Sequence, residues 1–185
     1  MHFSSILIPL AVAMGASAAP IVDFMGGILP QILTTTVPTL LEDFNVIETS
    51  YKNLENAVKA GDGPTWVQGV LTSTISAQIA NHQATLHVED LTGSFSADEI
   101  DQIVDKFTND IRPVAESALR ALVNAKAKLR GFESATLSYV NITKDDFANF
   151  ETSLLDVIPA DSQGTVKDAL DPYSAVLDNA VKTFT

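Results

Sequence analysis

Residues 96–130 read SADEIDQIVDKFTNDIRPVAESALRALVNAKAKLR and predict a long helix. The stretch opens with a capping box, in which Ser96 and Glu99 each accept the backbone amide of the other. Apolar residues then recur at steps of three and four, the period of one helix face. Gly131 ends the helix, and Pro113 predicts a kink or a break because it has no amide proton. A helix with one apolar face needs partners along its length, which the rest of the chain must supply.

Four further stretches carry the same apolar period. A second capping box at Thr39–Glu42 predicts the start of the first helix. Pro64 begins the second helix, residues 137–158 form the fourth, and the last begins near Ser162 and bends at Pro172. Since no run of alternating β-branched residues predicts a strand, we expect an all-α fold. It is an antiparallel bundle of about five amphipathic helices, with proline bends in the central and last helices.

The start of the chain has the pattern of a secretory leader. An apolar run and the cleavage site Ala16-Ser17-Ala18 predict a signal peptide over residues 1–18. Residues 19–38 form an apolar N-terminal arm, either a flap on the core or a poorly ordered leader, and 39–185 form the bundle domain. We therefore expect a secreted, extracellular protein, either free or associated with the cell wall. No later segment predicts a membrane span.

Composition excludes several classes of protein. The chain has no cysteine, so a secreted domain of this kind must be held by its core rather than by disulfides. Its net charge of −12 disfavours nucleic acid and anionic membranes as partners. Neutral apolar ligands, apolar surfaces and other proteins remain, and the acidity also serves solubility.

Sequence motifs for catalysis are missing. The chain has no Gly-x-Ser-x-Gly elbow, Walker loop or dinucleotide fingerprint. His82 and His87 belong to no His-Glu-x-x-His motif, and thiol ligands are lacking, so we expect no metal and no cofactor. The protein is predicted not to be an enzyme; an active site assembled from scattered residues and a host-directed effector stay open as alternatives.

The apolar helix faces supply the candidate ligand site. Bent helices do not pack flush, which leaves room for an elongated apolar cavity. Its predicted lining residues are Phe44, Ile47, Tyr51, Leu54, Leu71, Ile75, Ile79, Ile103, Phe107, Ile111, Leu119, Leu122, Phe147, Leu154, Tyr173 and Leu177. Gln78 and His82 lie four residues apart among apolar neighbours. They are candidates to hold the polar head of a ligand, or they form a polar edge of the helix.

One glycosylation acceptor triplet is present, Asn141-Ile142-Thr143. It predicts N-glycosylation of Asn141 in a secreted chain, at an expected helix junction.

The order of these signals resembles the fungal hydrophobic-surface-binding protein A family, which includes the lipid-binding domains of cell-wall galactomannoproteins. The likeness runs from Leu40 to Phe184, and three segments carry it: Ala60–Gly63, Leu122–Leu129 and Leu154–Pro159. The resemblance implies a secreted protein without enzymatic activity. Members of the family adsorb to hydrophobic surfaces and recruit polyester-degrading hydrolases, and wall mannoprotein members hold a fatty acid inside the bundle.

Two functions follow as hypotheses. The first is a carrier of a fatty acid or another apolar ligand in the bundle interior. The second is adsorption to hydrophobic surfaces such as cutin, wax or polyester, with recruitment of a secreted hydrolase.

Overall fold

A computed structural model of the chain describes residues 36–61, 63–91, 95–129 and 131–185. The predicted signal peptide and nearly all of the predicted arm lie outside these residues. The regular elements of the described part are helical, as expected for an all-α fold. None of its helices combines the length and the apolarity that a membrane crossing requires.

The elements follow in the order α1 (Val37–Lys59), α2 (Pro64–Glu89), α3 (Ala97–Asp105), a π-helical turn (Lys106–Ile111), α4 (Arg112–Asn124), a 3-10 turn (Lys126–Lys128), α5 (Glu133–Val157) and α6 (Gln163–Phe184). Because α3, the π-helical turn and α4 continue one another without a gap, they form one long element, the central helix. The described chain therefore forms five helices in space, which confirms the predicted number.

The five helices close into a ring in which each packs against two neighbours. The order around the ring is α1, α2, α5, α6 and the central helix, which returns to α1. Helices that are consecutive in sequence run antiparallel. The pair α4 and α6 therefore runs parallel, and no connecting segment joins these two helices directly.

Hydrogen bonds between α1 and α2 show the reversal. His87, at the end of α2, lies 2.6 Å from the Asp43 carboxylate near the start of α1. At the other end, the Trp66 indole donates to the Val58 carbonyl over 3.0 Å. Burial raises the pKa of Asp43, an effect that the hydrogen bond from His87 opposes.

The centre of the ring is apolar. The face of α1 predicted from its three- and four-residue steps is buried from Leu40 to Leu54, with Phe44, Ile47 and Tyr51 between them. Burial of such side chains stabilises the fold by about 1.5–3 kcal/mol each. A chain without disulfides depends on this burial of apolar side chains for its stability.

One of the two predicted capping boxes is confirmed. Ser96 caps α3: its amide donates to the Glu99 carboxylate over 2.8 Å, and the Glu99 amide donates back to the Ser96 hydroxyl over 3.4 Å. The box at Thr39–Glu42 is wrong, because α1 already begins at Val37 and Thr39 lies in its first turn. Pro38 explains the earlier start, since its fixed φ favours the first helical positions.

The central helix passes Pro113 without ending. Pro113 cannot donate to the carbonyl four residues earlier, and the preceding residues widen into the π-helical turn. Within it, the Arg112 amide donates to the Phe107 carbonyl, a five-residue step in place of the usual four. The predicted irregularity is thus a π-helical turn, and α4 then ends at Asn124, before the predicted end at Arg130. The last helix, α6, likewise continues through Pro172.

Lys106 fixes the π-helical turn to α1. Its ammonium group donates to the carboxylates of Glu48 over 2.6 Å and of Asp110 over 2.7 Å. The hydrogen bond from Lys106 lowers the pKa of Glu48, so the ion pair persists well below neutral pH.

Candidate ligand site

Where the five helices meet, the described side chains leave little space between them. At the centre lies a gap with a volume of about 10 Å³. Its wall is formed by Tyr51, Leu54, Thr74, Ala77, Leu119, Val140, Thr143 and Leu177. A single water molecule needs roughly that volume. This part of the core therefore contains no elongated cavity that could take a hydrocarbon chain. The cavity predicted from the bent helices is wrong for this part of the core.

The core is tightly filled because six aromatic rings pack together in it, those of Phe44, Tyr51, Phe107, Phe147, Phe150 and Tyr173. Phe107 lies among them, with its ring centroid 4.9 Å from that of Phe44 and 5.8 Å from that of Phe150. Phe147 and Tyr173 pack edge to face at 4.5 Å. Such pairs contribute about 0.5–1.5 kcal/mol beyond the area that they bury.

A chain of three buried polar groups crosses the core beside these rings. The Tyr173 hydroxyl donates to the Asn81 side-chain oxygen over 2.9 Å. It therefore accepts from the Tyr51 hydroxyl, 2.7 Å away. The Asn81 amide nitrogen donates to the Ala77 carbonyl over 2.8 Å, which fixes the orientation of the amide. Burial raises the pKa of Tyr51 to about 12 and that of Tyr173 well above its usual value, so both remain neutral donors.

A much larger space lies outside, between α4 and α6. This groove has a volume of about 590 Å³, within the range of about 300–1,000 Å³ typical of small-molecule sites. Its walls are Arg112, Pro113, Glu116, Leu119, Arg120 and Val123 from α4, and Pro172, Ala175, Val176, Asn179, Ala180 and Thr183 from α6. We call this space the α4/α6 groove.

Leu119 connects the two spaces. Its side chain lines both the α4/α6 groove and the interior gap, and it is 3% exposed. Leu119 is therefore the residue that the wall of the groove and the wall of the interior gap have in common.

Most of the predicted lining residues are buried in the core. These are Phe44, Ile47, Tyr51, Leu54, Ile103, Phe107, Ile111, Leu119, Leu122, Phe147, Leu154, Tyr173 and Leu177. Only Tyr51, Leu54, Leu119 and Leu177 of this set border the interior gap. The others pack against one another.

The prediction for α2 is wrong about its inner face. Ile79 is 57% exposed, and Leu71 and Ile75 are only half-buried. Apart from Trp66 in the first turn, the buried face of α2 consists of valines and of small or polar residues: Val67, Val70, Thr74, Ala77, Ala80, Asn81, Ala84, Thr85 and Val88. Because α2 packs between α1 and α5, small side chains on this face let both neighbours approach closely.

Gln78 and His82 do not face the interior. Both contact the Asp146 carboxylate of α5 at 3.1 Å, and the His82 side chain is half exposed. Thr85 adds a hydrogen bond of 3.0 Å to the Asp146 carbonyl. These residues form a polar edge between α2 and α5, which replaces the predicted role at the head of a ligand.

Asn141 lies in the middle of α5 and is half-buried, and the expected helix junction is not there. Thr143 is buried and donates to the Tyr139 carbonyl over 2.9 Å. Glycosylation of Asn141 stays a prediction.

Two features of the site were not predicted from the sequence. Asn81 was overlooked because a single Asn in a helix gives no sign of whether it faces inward. Arg112 and the groove that it lines were overlooked because the groove joins two helices about 60 residues apart in the sequence. Its sequence signal is the pair Pro113 and Pro172, both of which line the groove.

The fold and the groove define a class of protein: an all-α bundle with an amphipathic cleft between two of its helices. The chain belongs to the hydrophobic surface binding protein A family, whose family model matches residues 37–156. A comparison with curated proteins finds no match.

Solved structures share the fold. AfMP4p, solved in complex with palmitic acid, aligns with a TM-score of 0.73 and 20% identity over 81% of this chain and 100% of its own. Ligand binding domain 1 of Penicillium marneffei MP1, complexed with arachidonic acids, aligns with a TM-score of 0.72 and 11% identity over 81% and 99%. Ligand binding domain 2 of MP1, complexed with multiple arachidonic acids, gives 0.66 and 12% over 80% and 93%. At these identities the likeness establishes the fold.

Proposed function

We propose that this protein binds a fatty acid or a similar single-chain apolar ligand without catalysis, and that the acyl chain enters between α4 and α6. The observation that carries the proposal is the position of Leu119 between a groove of about 590 Å³ and the interior gap. The family and the fatty acids in the similar bundles support it. A secreted, extracellular location and recruitment of a hydrolase rest on the sequence alone and stay predictions.

Burial of the acyl chain supplies the free energy that drives binding. Each CH₂ group moved from water into an apolar site contributes about 0.8 kcal/mol. The groove offers apolar contacts along its length, from Pro113 to Val123 on one side and from Pro172 to Ala180 on the other. Because the interior gap holds only about 10 Å³, a chain that goes deeper must displace Leu119 and part α4 from α6. Long acyl chains offset this cost better than short ones, because they bury more CH₂ groups.

Binding of saturated fatty acids of increasing length tests the proposal. We expect saturable, equimolar binding whose affinity rises about fourfold per added CH₂ until the site is full. Calorimetry or native mass spectrometry, below the critical micelle concentration, measures both quantities. Affinity that does not change with chain length, or no binding at all, would contradict the proposal.

A groove-filling variant locates the site. Ala175 lies in the groove and is exposed, so Ala175→Trp places a large ring in the groove without disturbing the core. Ala148→Trp is the matched control, because Ala148 is also exposed and lies on α5, outside the groove. We expect the first variant to lose binding and the second to keep it.

A second candidate function is adsorption to apolar surfaces, which one observation favours. Large aliphatic side chains are exposed around the polar edge between α2 and α5: Ile79 by 57%, Leu86 by 41% and Ile142 by 44%. Ile79 and Leu86 lie two turns apart on α2, and Ile142 lies one turn before Asp146 on α5. We call these three residues the α2/α5 patch.

Replacing the α2/α5 patch by serine tests this function. The triple variant Ile79→Ser, Leu86→Ser, Ile142→Ser is expected to reduce the partition coefficient onto a polyester film at least tenfold, since each side chain contributes on the order of 1 kcal/mol. The control is Val46→Ser with Phe132→Ser, two exposed apolar residues outside the patch, one on α1 and one just before α5. An equal loss in both variants would show adsorption without a defined face.

A further inference from the structure

The charges in the α4/α6 groove differ from those of the rest of the molecule. The chain carries a net charge of −12 and has three arginines, and two of them, Arg112 and Arg120, line this one groove. Glu116 is the only carboxylate among the groove residues. The groove therefore carries a net positive charge on a strongly acidic protein.

The two arginines are not equivalent. Arg120 forms an ion pair with Glu116, one turn earlier on α4, and both side chains are at least half exposed. Arg112 is half-buried, and among the residues that the structure describes no carboxylate lies within ion-pair distance of it. Its guanidinium is thus the cation of the groove that a ligand can neutralise.

The π-helical turn determines the position of Arg112 at the wall of the groove. The Arg112 amide closes this turn by donating to the Phe107 carbonyl, and the turn inserts one extra residue before α4. Phe107 and Ile111 stay buried in the core, while Arg112 and Pro113 line the groove opposite Pro172. The cation therefore stands at the end of the groove where α4 begins.

Beyond Arg112 the groove is lined by both polar and apolar side chains, and the apolar ones form a continuous row. Leu119, Val123, Val176 and Ala180 follow along the two parallel helices. The distance along the α4 axis from Arg112 to Val123 is about 16 Å, at ~1.5 Å per residue. One unpaired positive group at the end of a row of apolar side chains matches a molecule with one negative head and a hydrocarbon chain.

We propose that Arg112 binds the carboxylate of the fatty acid, with the acyl chain running past Leu119 towards Val123 and Ala180; this inference rests on the proposed function. A guanidinium donates two parallel N–H bonds to a carboxylate, and partial burial strengthens that pair relative to an exposed one. Because Glu116 neutralises Arg120, Arg112 carries the one uncompensated charge of the groove. A ligand with a single carboxylate would neutralise it. A neutral alcohol of equal length gains only the apolar contacts.

Two ligands and three variants test the proposal. Palmitate and hexadecanol share the length of their carbon chain and differ in the charge of the head. We measure the dissociation constants of both, at pH 8 and low salt, for the wild-type chain and for Arg112→Gln, Arg112→Lys and Lys128→Gln. Lys128 is the control, since it is exposed, lies outside the groove and loses the same charge. Thermal unfolding of each variant verifies that it is folded.

We expect Arg112→Gln to weaken palmitate about tenfold or more and to leave hexadecanol unchanged. Arg112→Lys should recover only part of the affinity, because it restores the charge without the two parallel bonds. Lys128→Gln should change neither ligand. Equal affinity of wild-type protein for both ligands, with no effect of Arg112→Gln, would overturn this inference and leave the proposed function standing. Failure of the wild-type chain to bind either ligand would instead overturn the proposed function.

A second copy of the chain is the other occupant that the experiment detects. If the groove were a site for self-association, light scattering would show a dimer that palmitate does not dissociate. The dissociation constant for palmitate would then be the same in Arg112→Gln and in the wild-type chain. Both results would count against a carboxylate site at Arg112.

Discussion

Replacing Phe107 by alanine is expected to lower the free energy of unfolding by about 3–5 kcal/mol. The Phe107 side chain is 1% exposed, and four aromatic rings surround it. Those of Phe44, Phe147, Phe150 and Tyr173 all have centroids within 6.0 Å of its own. These rings come from α1, α5 and α6, so they cannot all move inward to fill the space that the substitution leaves.

Urea denaturation followed by circular dichroism measures the effect. The matched control is Phe132→Ala, which removes the same atoms from a residue that is 48% exposed before α5. We expect the control to change the free energy of unfolding by about 0.5 kcal/mol or less. A loss below about 1.5 kcal/mol for Phe107→Ala would mean that the core rearranges freely, as a carrier that opens from this side would require.

The second large effect is expected from Tyr173→Phe, at about 2–4 kcal/mol. This substitution removes one oxygen and leaves two buried groups without partners. The Tyr51 hydroxyl loses the oxygen to which it donates, and the Asn81 side-chain oxygen loses its donor. An unpaired buried polar group costs about 1–3 kcal/mol.

The direction of the hydrogen bonds makes this prediction specific. Tyr51→Phe removes the donor at the end of the chain, and the Tyr173 hydroxyl still donates to Asn81. We therefore expect Tyr51→Phe to lower the free energy of unfolding by only about 0.5–1.5 kcal/mol. Tyr139→Phe, at a half-buried residue on α5, is the control. The opposite order of the two core variants, measured by urea denaturation, would show that the chain of hydrogen bonds runs the other way.

Local signals explain what could be predicted. The capping box at Ser96 needs only residues within one turn, and α1 buries the same face that its spacing indicates, including Phe44 and Tyr51. Five helices, most of their ends and most of the buried lining residues follow from such local patterns.

The error at α2 has a tertiary cause. On this helix the larger Ile79 and Leu86 point outward, whereas Ala77, Asn81 and Ala84 are buried. Hydrophobicity alone favours the opposite arrangement. Close packing against α1 and α5 selects small side chains, and the hydrogen bond from Tyr173 offsets the cost of burying Asn81.

The ligand site could be predicted only in part, because it depends on contacts between distant segments. Pro113 indicated an irregularity in the central helix, but a proline does not show whether the helix bends, ends or widens into a π-helical turn. The groove has among its walls Arg112 and Pro113, which follow that turn, and Pro172 of α6. Leu119 was predicted as a lining residue from its period, whereas its place between two spaces follows from the packing of α4 on α6.

The parallel contact between α4 and α6 has a mechanical consequence. Helices that follow one another directly are tethered at one end, so they can open only like a hinge about that end. Between α4 and α6 the chain instead makes a complete passage through α5. The two can therefore move apart without stretching a segment that joins them, at the expense of the contacts between them. An acyl chain that enters the groove is thus accommodated by sideways displacement of α6, while the other helices of the ring remain in place.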